Sequence, residues 1–347
     1  MRVKDIDLDL LYGVPRTAFS RIVPNGKPFQ LRVVAGRMLW FPVLWKALRA
    51  DFVIVEHSNK LLINYVLFVA QFLGGPKLGF WGHGRNHQTD NPDSLSERVK
   101  IWMGRHAYWY FAYTAQVRDE LIERGYDPDH ITDVQNAVVA PSATAAPSDV
   151  VEIREQLGLT ENSVVGFFCS QMYPKKRLEL LVAAALEVRK KIPEFNLVLA
   201  GAGMSQNIAE EAAQKHEFIH YVGPQFGEDK TAYYALSRFV AFPGLLGLGI
   251  VDAFHYSVPS VVTDYRFHSP EISYLADGEN AILTEDSVEN FADTMIRICQ
   301  DDKLHATIKQ GCDIWSQKIT IDAMAENFAD GIEQAVDQQK FSGAFLA

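Results

Sequence analysis

The stretch Phe242-Pro243-Gly244-Leu245-Leu246-Gly247-Leu248-Gly249-Ile250-Val251-Asp252-Ala253-Phe254 decides how this chain is read. A short apolar run ends at Phe242, glycines follow at 244, 247 and 249, and a helical pattern starts near Leu248. Strand, turn and helix in direct succession are the unit from which parallel α/β sheets are built. Glycines in such a turn let backbone N–H groups approach a ligand, and a helix N-terminus adds partial positive charge, so the stretch suits a diphosphate. Asp252 falls about one turn into the helix, where a carboxylate can accept two sugar hydroxyls. Taken alone, the stretch is equally well a tight strand-to-helix turn with Asp252 on a solvated face.

Working outward, the same rhythm recurs on both sides. Towards the C-terminus, strands fit 164–168, 197–200, 218–222, 239–242, 260–263 and 281–283, with helices between them and further helices over 288–338. Towards the N-terminus, strands fit 52–56, 77–81, 108–112 and 131–135, with helices over 59–73, 94–106 and 114–124. Residues 141–147, rich in Ala, Ser and Thr, form the expected linker. The reading is two α/β domains whose parallel sheets meet at a cleft, the place where open parallel sheets bind ligands. The expected boundaries are 1–140, a linker at 141–147, 148–318, and a C-terminal helix over 319–347 that packs back on the first domain.

At 347 residues the chain has room for about two domains. With 48% hydrophobic and 22% charged residues it is an ordinary folded protein, neither disordered nor fibrous. Its three cysteines, Cys169, Cys299 and Cys312, form no CxxC, which argues against a disulfide framework or a cysteine zinc site and for a reducing cytoplasm. The net charge of −10 hides an asymmetry. Residues 1–140 carry 17 Lys+Arg against 14 Asp+Glu, a net of +3, whereas the rest carry 16 against 29, a net of −13. Between Asp9 and Asp51 all the charges are basic: Arg16, Arg21, Lys27, Arg32, Arg37, Lys46 and Arg49. This favours an anionic partner on the N-terminal half, such as a phospholipid surface or a phosphate-bearing acceptor. Nucleic acid is disfavoured, because the whole chain is acidic and no nucleic-acid module is legible.

Residues 1–9 are charged rather than apolar, so no signal peptide is expected. The longest apolar run, Leu61 to Leu73, falls short of the roughly 20 residues of a bilayer span and reads as a buried helix. The segment 37–49 carries Trp40 and Trp45 among three cations. An interfacial segment and a helix packed on the sheet both fit it. The core reading is preferred for Leu44 to Leu48, and Trp40 and Phe41 are left open.

Three further pieces carry chemistry. Ser170-Gln171-Met172-Tyr173-Pro174-Lys175-Lys176-Arg177 aims three consecutive cations from a strand end, where they can stabilise a departing diphosphate; the alternative is a solvated helix start. Ala200-Gly201-Ala202-Gly203 is a lone GxG, weak by itself and without the third glycine of a dinucleotide fingerprint. His83, in Trp81-Gly82-His83-Gly84-Arg85, is placed to hydrogen-bond a sugar hydroxyl or manage a proton, although an isolated histidine is more often structural.

Together these pieces resemble the retaining glycosyltransferases of the GT-B fold, family 4 type (glycosyl transferases group 1), over about 52–283. The family carries a Glu-x7-Glu motif followed by a small-residue Val-Pro segment, here Ser257-Val258-Pro259. Asp252 stands at the second Glu position and Gly244 at the first. Pro243 to Leu248 matches a Pro-Gly-x-x-Gly-Leu version of the motif. The resemblance implies the α/β GT-B fold, two Rossmann-like domains facing across a cleft, with the N-terminal one on the acceptor side. Such a domain usually opens with a strand and a Gly-rich loop, and 1–49 shows neither, so the N-terminal domain is expected to be abbreviated or its start incomplete.

The resemblance also distributes roles. Lys176 takes the diphosphate-binding position, Gln171 replaces the family's Arg, and Lys175 or Arg177 is the candidate to compensate. The Gly247 and Leu248 amides cradle the diphosphate, and Asp252 binds the ribose. Gly201 and Gly203 lie beside the nucleotide, and Val222 and Gly223 match the segment whose backbone reads the base. His83 faces the reacting sugar, with Arg85 and Asn86 as secondary, acceptor-side candidates. Asn136 is expected in a turn, and Glu271 is expected to hold its loop rather than do chemistry.

The function implied is transfer of a sugar, with retention, from a UDP- or GDP-linked donor to a glycan, glycolipid or polyprenyl-linked acceptor. The setting is cell-surface polysaccharide assembly, in the cytoplasm or peripherally on the inner face of the membrane. No cofactor and no metal are expected, because no paired carboxylates at metal-binding spacing are visible. A non-catalytic nucleotide-sugar-binding subunit and a sugar-nucleotide epimerase are the alternatives, since fold alone does not settle chemistry.

Overall fold

The structure is a computed structural model that describes residues 6–14, 26–34, 38–84, 94–142 and 144–344. The chain divides into two compact units, residues 1–135 with 322–347, and residues 136–321.

In the first unit, β1 (Leu11–Val14) and β2 (Lys27–Gln30) pair in parallel, and β3 (Arg32–Val34) and β4 (Met38–Trp40) form an antiparallel ribbon. One helical turn, α1 (Leu44–Ala47), follows. The main sheet has four parallel strands in the order β5 (Phe52–Glu56), β6 (Lys77–Gly82), β7 (Trp109–Ala112) and β8 (Ile131–Asp133). They are linked by α2 (Leu62–Phe72), α3 (Leu95–Arg105) and α4 (Ala115–Glu123). Because neighbours in sequence are neighbours in the sheet, right-handed crossovers place all three helices on one face. The strand residues divide accordingly. Leu78, Phe80, Tyr110 and Ala112 join the core with Ile63, Leu67, Phe68, Met103, Val117 and Leu121. On the opposite face Phe111 stacks on Phe328 at 5.0 Å, and Trp81 meets the same ring edge-on at 5.7 Å. Phe328 belongs to the last helix of the chain, and Tyr108 donates to the Ala335 carbonyl of that helix at 3.0 Å.

Two expectations need correcting here. Among the described residues, 1–49 do contain strands, four short ones, which carry little sequence signal because β2 and β3 are largely exposed and have no buried apolar run. In the described part of the segment 37–49 the core reading holds for Leu44, Ala47 and Leu48, which pack with the core of the unit as Phe41 does; only Leu44–Ala47 is helical there, Trp40 lies in β4, and Trp45 is 72% exposed. The apolar run 61–73 is not buried all round: α2 presents Ile63, Asn64, Leu67 and Phe68 inward and leaves Val66, Val69, Phe72 and Leu73 exposed. No described helix is long and apolar enough to cross a membrane.

The second unit opens with α5 (Pro147–Gln156), so 141–147 lies within this unit, where Ser142 donates through its backbone N and its Oγ to Glu228 at 2.9 and 2.8 Å. Its sheet contains β9 (Val164–Cys169), β10 (Phe195–Ala200), β11 (Ile219–Tyr221), β12 (Phe239–Phe242), β13 (Ser260–Thr263) and β14 (Ile282–Thr284), all parallel, in the spatial order β11-β10-β9-β12-β13-β14. The helices are α6 (Leu178–Lys191), α7 (Gln206–Lys215), α8 (Thr231–Leu236), α9 (Gly249–His255), α10 (Val288–Gln300) and α11 (Asp302–Lys318); α12 (Ile321–Ala344) carries Phe328 into the first unit. This is the doubly wound order, whose direction reverses between β9 and β12. Buried Phe167, Phe195, Phe239, Phe254 and Phe291 fill the layers on either side.

Candidate functional site

Where a doubly wound sheet reverses, the turns after its two central strands diverge and leave a concave edge at their carboxyl ends. In the second unit these are the turn after β9, residues 170–177, and the loop after β12, residues 243–248. They are built against each other. Leu245 donates its N–H to the Lys175 carbonyl at 2.8 Å, and Lys176 Nζ donates to the Leu245 carbonyl at 2.7 Å. Arg177 adopts a left-handed backbone (φ 57°), which ends the 3-10 turn Pro174–Lys176 and starts α6.

The remaining loop groups are held from the other side. The Pro243 carbonyl accepts from Thr263 Oγ1 at 3.0 Å. Leu246 donates its N–H to His268 Nδ1 at 3.0 Å and accepts from the Ser269 N–H at 2.9 Å. Since Nδ1 accepts, His268 is neutral and donates through Nε2 to the Thr263 carbonyl at 2.7 Å. Burial pulls its pKa below the ordinary histidine value, which favours that neutral form. Among the described residues, the Gly247 and Leu248 amides have no protein acceptor. The helix that follows, α9, has only seven residues. Any positive character here therefore comes from these amides and Lys176 more than from a summed helix dipole.

The three cations have separate fates. Lys176 is buried, and burial alone pulls its ammonium down to about 8. Lys175 Nζ sits 4.1 Å over the Phe267 ring. Arg177 is ion-paired with Asp286, reaches the Pro243 carbonyl and stacks over Tyr265 at 5.1 Å. Its guanidinium thus braces the loop. Gln171 is exposed on the same turn.

Gly244 shows why no carboxylate stands at this position. A Cβ there would lie 2.3 Å from the Lys175 carbonyl oxygen, so the loop approaches the 174–177 turn more closely than any side chain permits. Gly201 and Gly203 are constrained similarly. Their φ values are 145° and 146°, and a Cβ would meet the Ser170 oxygen at 1.9 Å and the Met172 oxygen at 2.2 Å. These two glycines serve the close approach of two backbone turns. Val222 is engaged at both backbone groups, donating to the Leu199 carbonyl at 3.0 Å and accepting from Gln225 Nε2 at 2.9 Å. Gly223 (φ 72°) gives its carbonyl to the Gly201 N–H at 2.9 Å.

Asp252 lies in the first turn of α9, and its Oδ2 is 2.5 Å from Lys230 Nζ, a residue for which the sequence gives no signal. Behind the loop, Asn136 Nδ2 donates to buried Glu271 at 2.7 Å, and Tyr274 OH donates to the Asn136 carbonyl at 3.1 Å. Burial raises the Glu271 pKa.

In the first unit, His83 follows β6 and packs its ring 4.9 Å from Tyr113. The loop is fixed by Tyr110, whose hydroxyl accepts from the Gly84 N–H at 2.9 Å and lies 3.1 Å from His57 Nδ1. Burial drives His57 well below the ordinary histidine pKa. Arg85 and Asn86 lie outside the described residues. The structure thus brings Gln171, Lys175, Lys176, Arg177, Gly201, Gly203, Gly244, Gly247 and Leu248 to neighbouring turns of one sheet edge, with Asp252 one turn further along α9.

Two α/β units with parallel sheets, the second in doubly wound order, define a GT-B fold. Residues 163–301, within the second unit, match the model of the family described as Glycosyl transferases group 1. The chain is 27% identical over 227 residues to the D-inositol 3-phosphate glycosyltransferase of Salinispora arenicola, covering 58% of this chain and 49% of that protein. It therefore spans about half, or less, of the length of the curated relatives it matches. Among solved structures, Anabaena HepE in complex with UDP superposes with a TM-score of 0.69 at 20% identity, covering 84% of this chain and 80% of HepE. TarM of S. aureus superposes with a TM-score of 0.56 at 20% identity, over 74% of this chain and 50% of TarM.

Proposed function

We propose that this protein transfers a glycosyl residue from a nucleoside-diphosphate sugar to a glycan, glycolipid or polyprenyl-linked acceptor, with retention of the anomeric configuration. The observation that carries this reading is the braced loop 243–248, which holds two amides without protein acceptors close to a buried lysine at the reversal point of the sheet. In this reading Lys176 turns from the Leu245 carbonyl to the diphosphate and, with the Gly247 and Leu248 amides, stabilises the charge that develops on the leaving nucleotide. Such preorganised donors act on the leaving group without proton transfer. Metal independence is part of the proposal, since cationic and amide donors take the role a metal would play, and turnover is expected to persist in EDTA.

HepE was crystallised with UDP and with UDP-glucose, which supports a uridine-linked donor here. Asp252 is assigned to the ribose and Gly223 to the base. The resemblance assigns His83 to the sugar side of the reaction, and Arg85 and Asn86 to the acceptor. Cell-surface polysaccharide assembly is the proposed setting. Peripheral contact with an anionic membrane is assigned to the basic N-terminal half, supported by the exposed Val69, Phe72, Leu73 and Trp102.

The test is nucleotide release from a panel of UDP- and GDP-sugars with the native glycolipid fraction as acceptor. Turnover that falls about 100-fold in Lys176→Ala supports the reading. Binding without turnover across the panel points to a non-catalytic nucleotide-sugar-binding subunit, and interconversion of the sugar without transfer points to an epimerase.

A further inference from the structure

Lys230 closes the 3-10 turn Gly227–Lys230, which lies between the segment assigned to the base and α8. Its ammonium is 2.5 Å from Asp252 Oδ2, and the two side chains are 17% and 18% exposed, so the pair is largely sheltered but open on one side. The pair lies by the carboxyl end of β9, where the half-buried Cys169 thiol feels both charges. Of the two acids on the turn, Glu228 and Asp229, the first is occupied elsewhere: Ser142 donates to it twice and Thr231 once. Lys230 is thus committed to one carboxylate, at the edge of the same concave site.

A cis-diol presents two hydroxyls, each a donor and an acceptor. A carboxylate alone can only accept, and in a sheltered site its charge needs compensation. An ammonium beside it supplies both a compensating charge and a donor aimed at a hydroxyl lone pair. We propose that Lys230 is a specificity-determining residue that, with Asp252, brackets the ribose cis-diol of the donor nucleotide, so that ribonucleotides are preferred over 2′-deoxynucleotides. This rests on the reading of Asp252 as the ribose carboxylate.

The experiment is calorimetric titration of the full chain with UDP, GDP and their 2′-deoxy counterparts, using the wild type, Lys230→Met and Lys230→Arg. The wild type is expected to bind its preferred ribonucleotide about tenfold or more tightly than the 2′-deoxy form, as loss of a hydrogen bond to a charged group implies. Lys230→Met is expected to shrink that ratio to within about threefold, and Lys230→Arg to restore most of it. Equal loss of affinity for both forms in Lys230→Met, with the ratio unchanged, makes the pair merely structural and overturns the proposal. Should Lys230→Met not fold, Lys230→Gln takes its place in the same comparison. A wild type that binds nucleotides without discriminating overturns the proposal while leaving the glycosyl-transfer reading intact. A wild type that binds no nucleotide overturns both.

Discussion

Each unit places a glycine-flanked loop at the carboxyl end of a parallel strand, and the two loops are held differently. Residues 82–84 of the first unit are held by groups near the sheet: the Tyr110 hydroxyl accepts from the Gly84 N–H, the Gly82 carbonyl accepts from the Tyr113 N–H at 3.2 Å, and the His83 ring packs on Tyr113. The loop 243–248 of the second unit is braced from the 174–177 turn, from β13 and from His268 and Ser269, so that the carbonyls of Pro243, Leu245 and Leu246 and the amides of Leu245 and Leu246 are committed to groups outside the loop. The lesson concerns charge. A loop that must hold donors against a departing diphosphate gains from having its own dipoles fixed beforehand, whereas one presenting a single side chain has less to preorganise.

The largest effect is expected where backbone approaches backbone. Gly244→Ala and Gly203→Ala each force a Cβ against a carbonyl oxygen, and about 3 kcal/mol or more of stability is expected to go, measured by urea unfolding. Gly244→Glu, which restores the carboxylate of the Glu-x7-Glu pattern, is expected to fail for the same reason. If Gly244→Ala melted like the wild type, the loop would not be packed as described.

Next is the pH dependence of the buried lysine. In the proposed role Lys176 binds a diphosphate in its ammonium form, and burial pulls that ammonium down to about 8. Nucleotide affinity is therefore expected to weaken as pH rises through about 8, and Lys176→Met is expected to be weak and flat across that range. A wild-type profile equally flat between pH 7 and 9.5 would remove Lys176 from the site.

His268 gives a smaller effect of opposite sense. Its folded pKa lies below that of the unfolded chain, so the unfolded state binds the extra proton first. Stability is complete above about 6.5, the unfolded value, and falls as pH drops through the window between the unfolded and folded values. The drop in melting temperature from pH 7 to 5 is expected to be smaller in His268→Asn than in the wild type, and an identical drop would show that His268 does not brace the loop through its neutral ring.

The smallest effect belongs to the first unit. Tyr110→Phe leaves the Gly84 N–H without its acceptor at a cost of about 1 kcal/mol, with turnover changing only a few-fold. A loss as deep as that of Lys176→Ala would invert the comparison between the loops.

Much of the second unit was legible because its strands are continuous apolar runs, such as 239–242 and 260–263, buried on both faces and punctuated by glycine or proline. The strands of 1–49 were not, because short exposed strands carry no periodic apolar signal. Within the site, Gly244 and Lys176 could be singled out from local pattern, but the bracing residues could not. Thr263, His268 and Lys230 lie 19, 24 and 14 residues from Gly244, on three different elements.

The sequence by itself determined the alternation of strand and helix, and with it a parallel α/β fold, the positions of the glycine turns and the cluster of cations after β9. These follow from local sterics and from hydrophobic period, which act over a few residues. Only the tertiary structure decided that Arg177 is spent on Asp286, that Lys176 is the buried cation, that Gly244 excludes any side chain, and that Lys230 faces Asp252. Each of those depends on which distant groups the sheet brings together, and burial and Coulomb interaction act on distance in space, irrespective of separation along the chain.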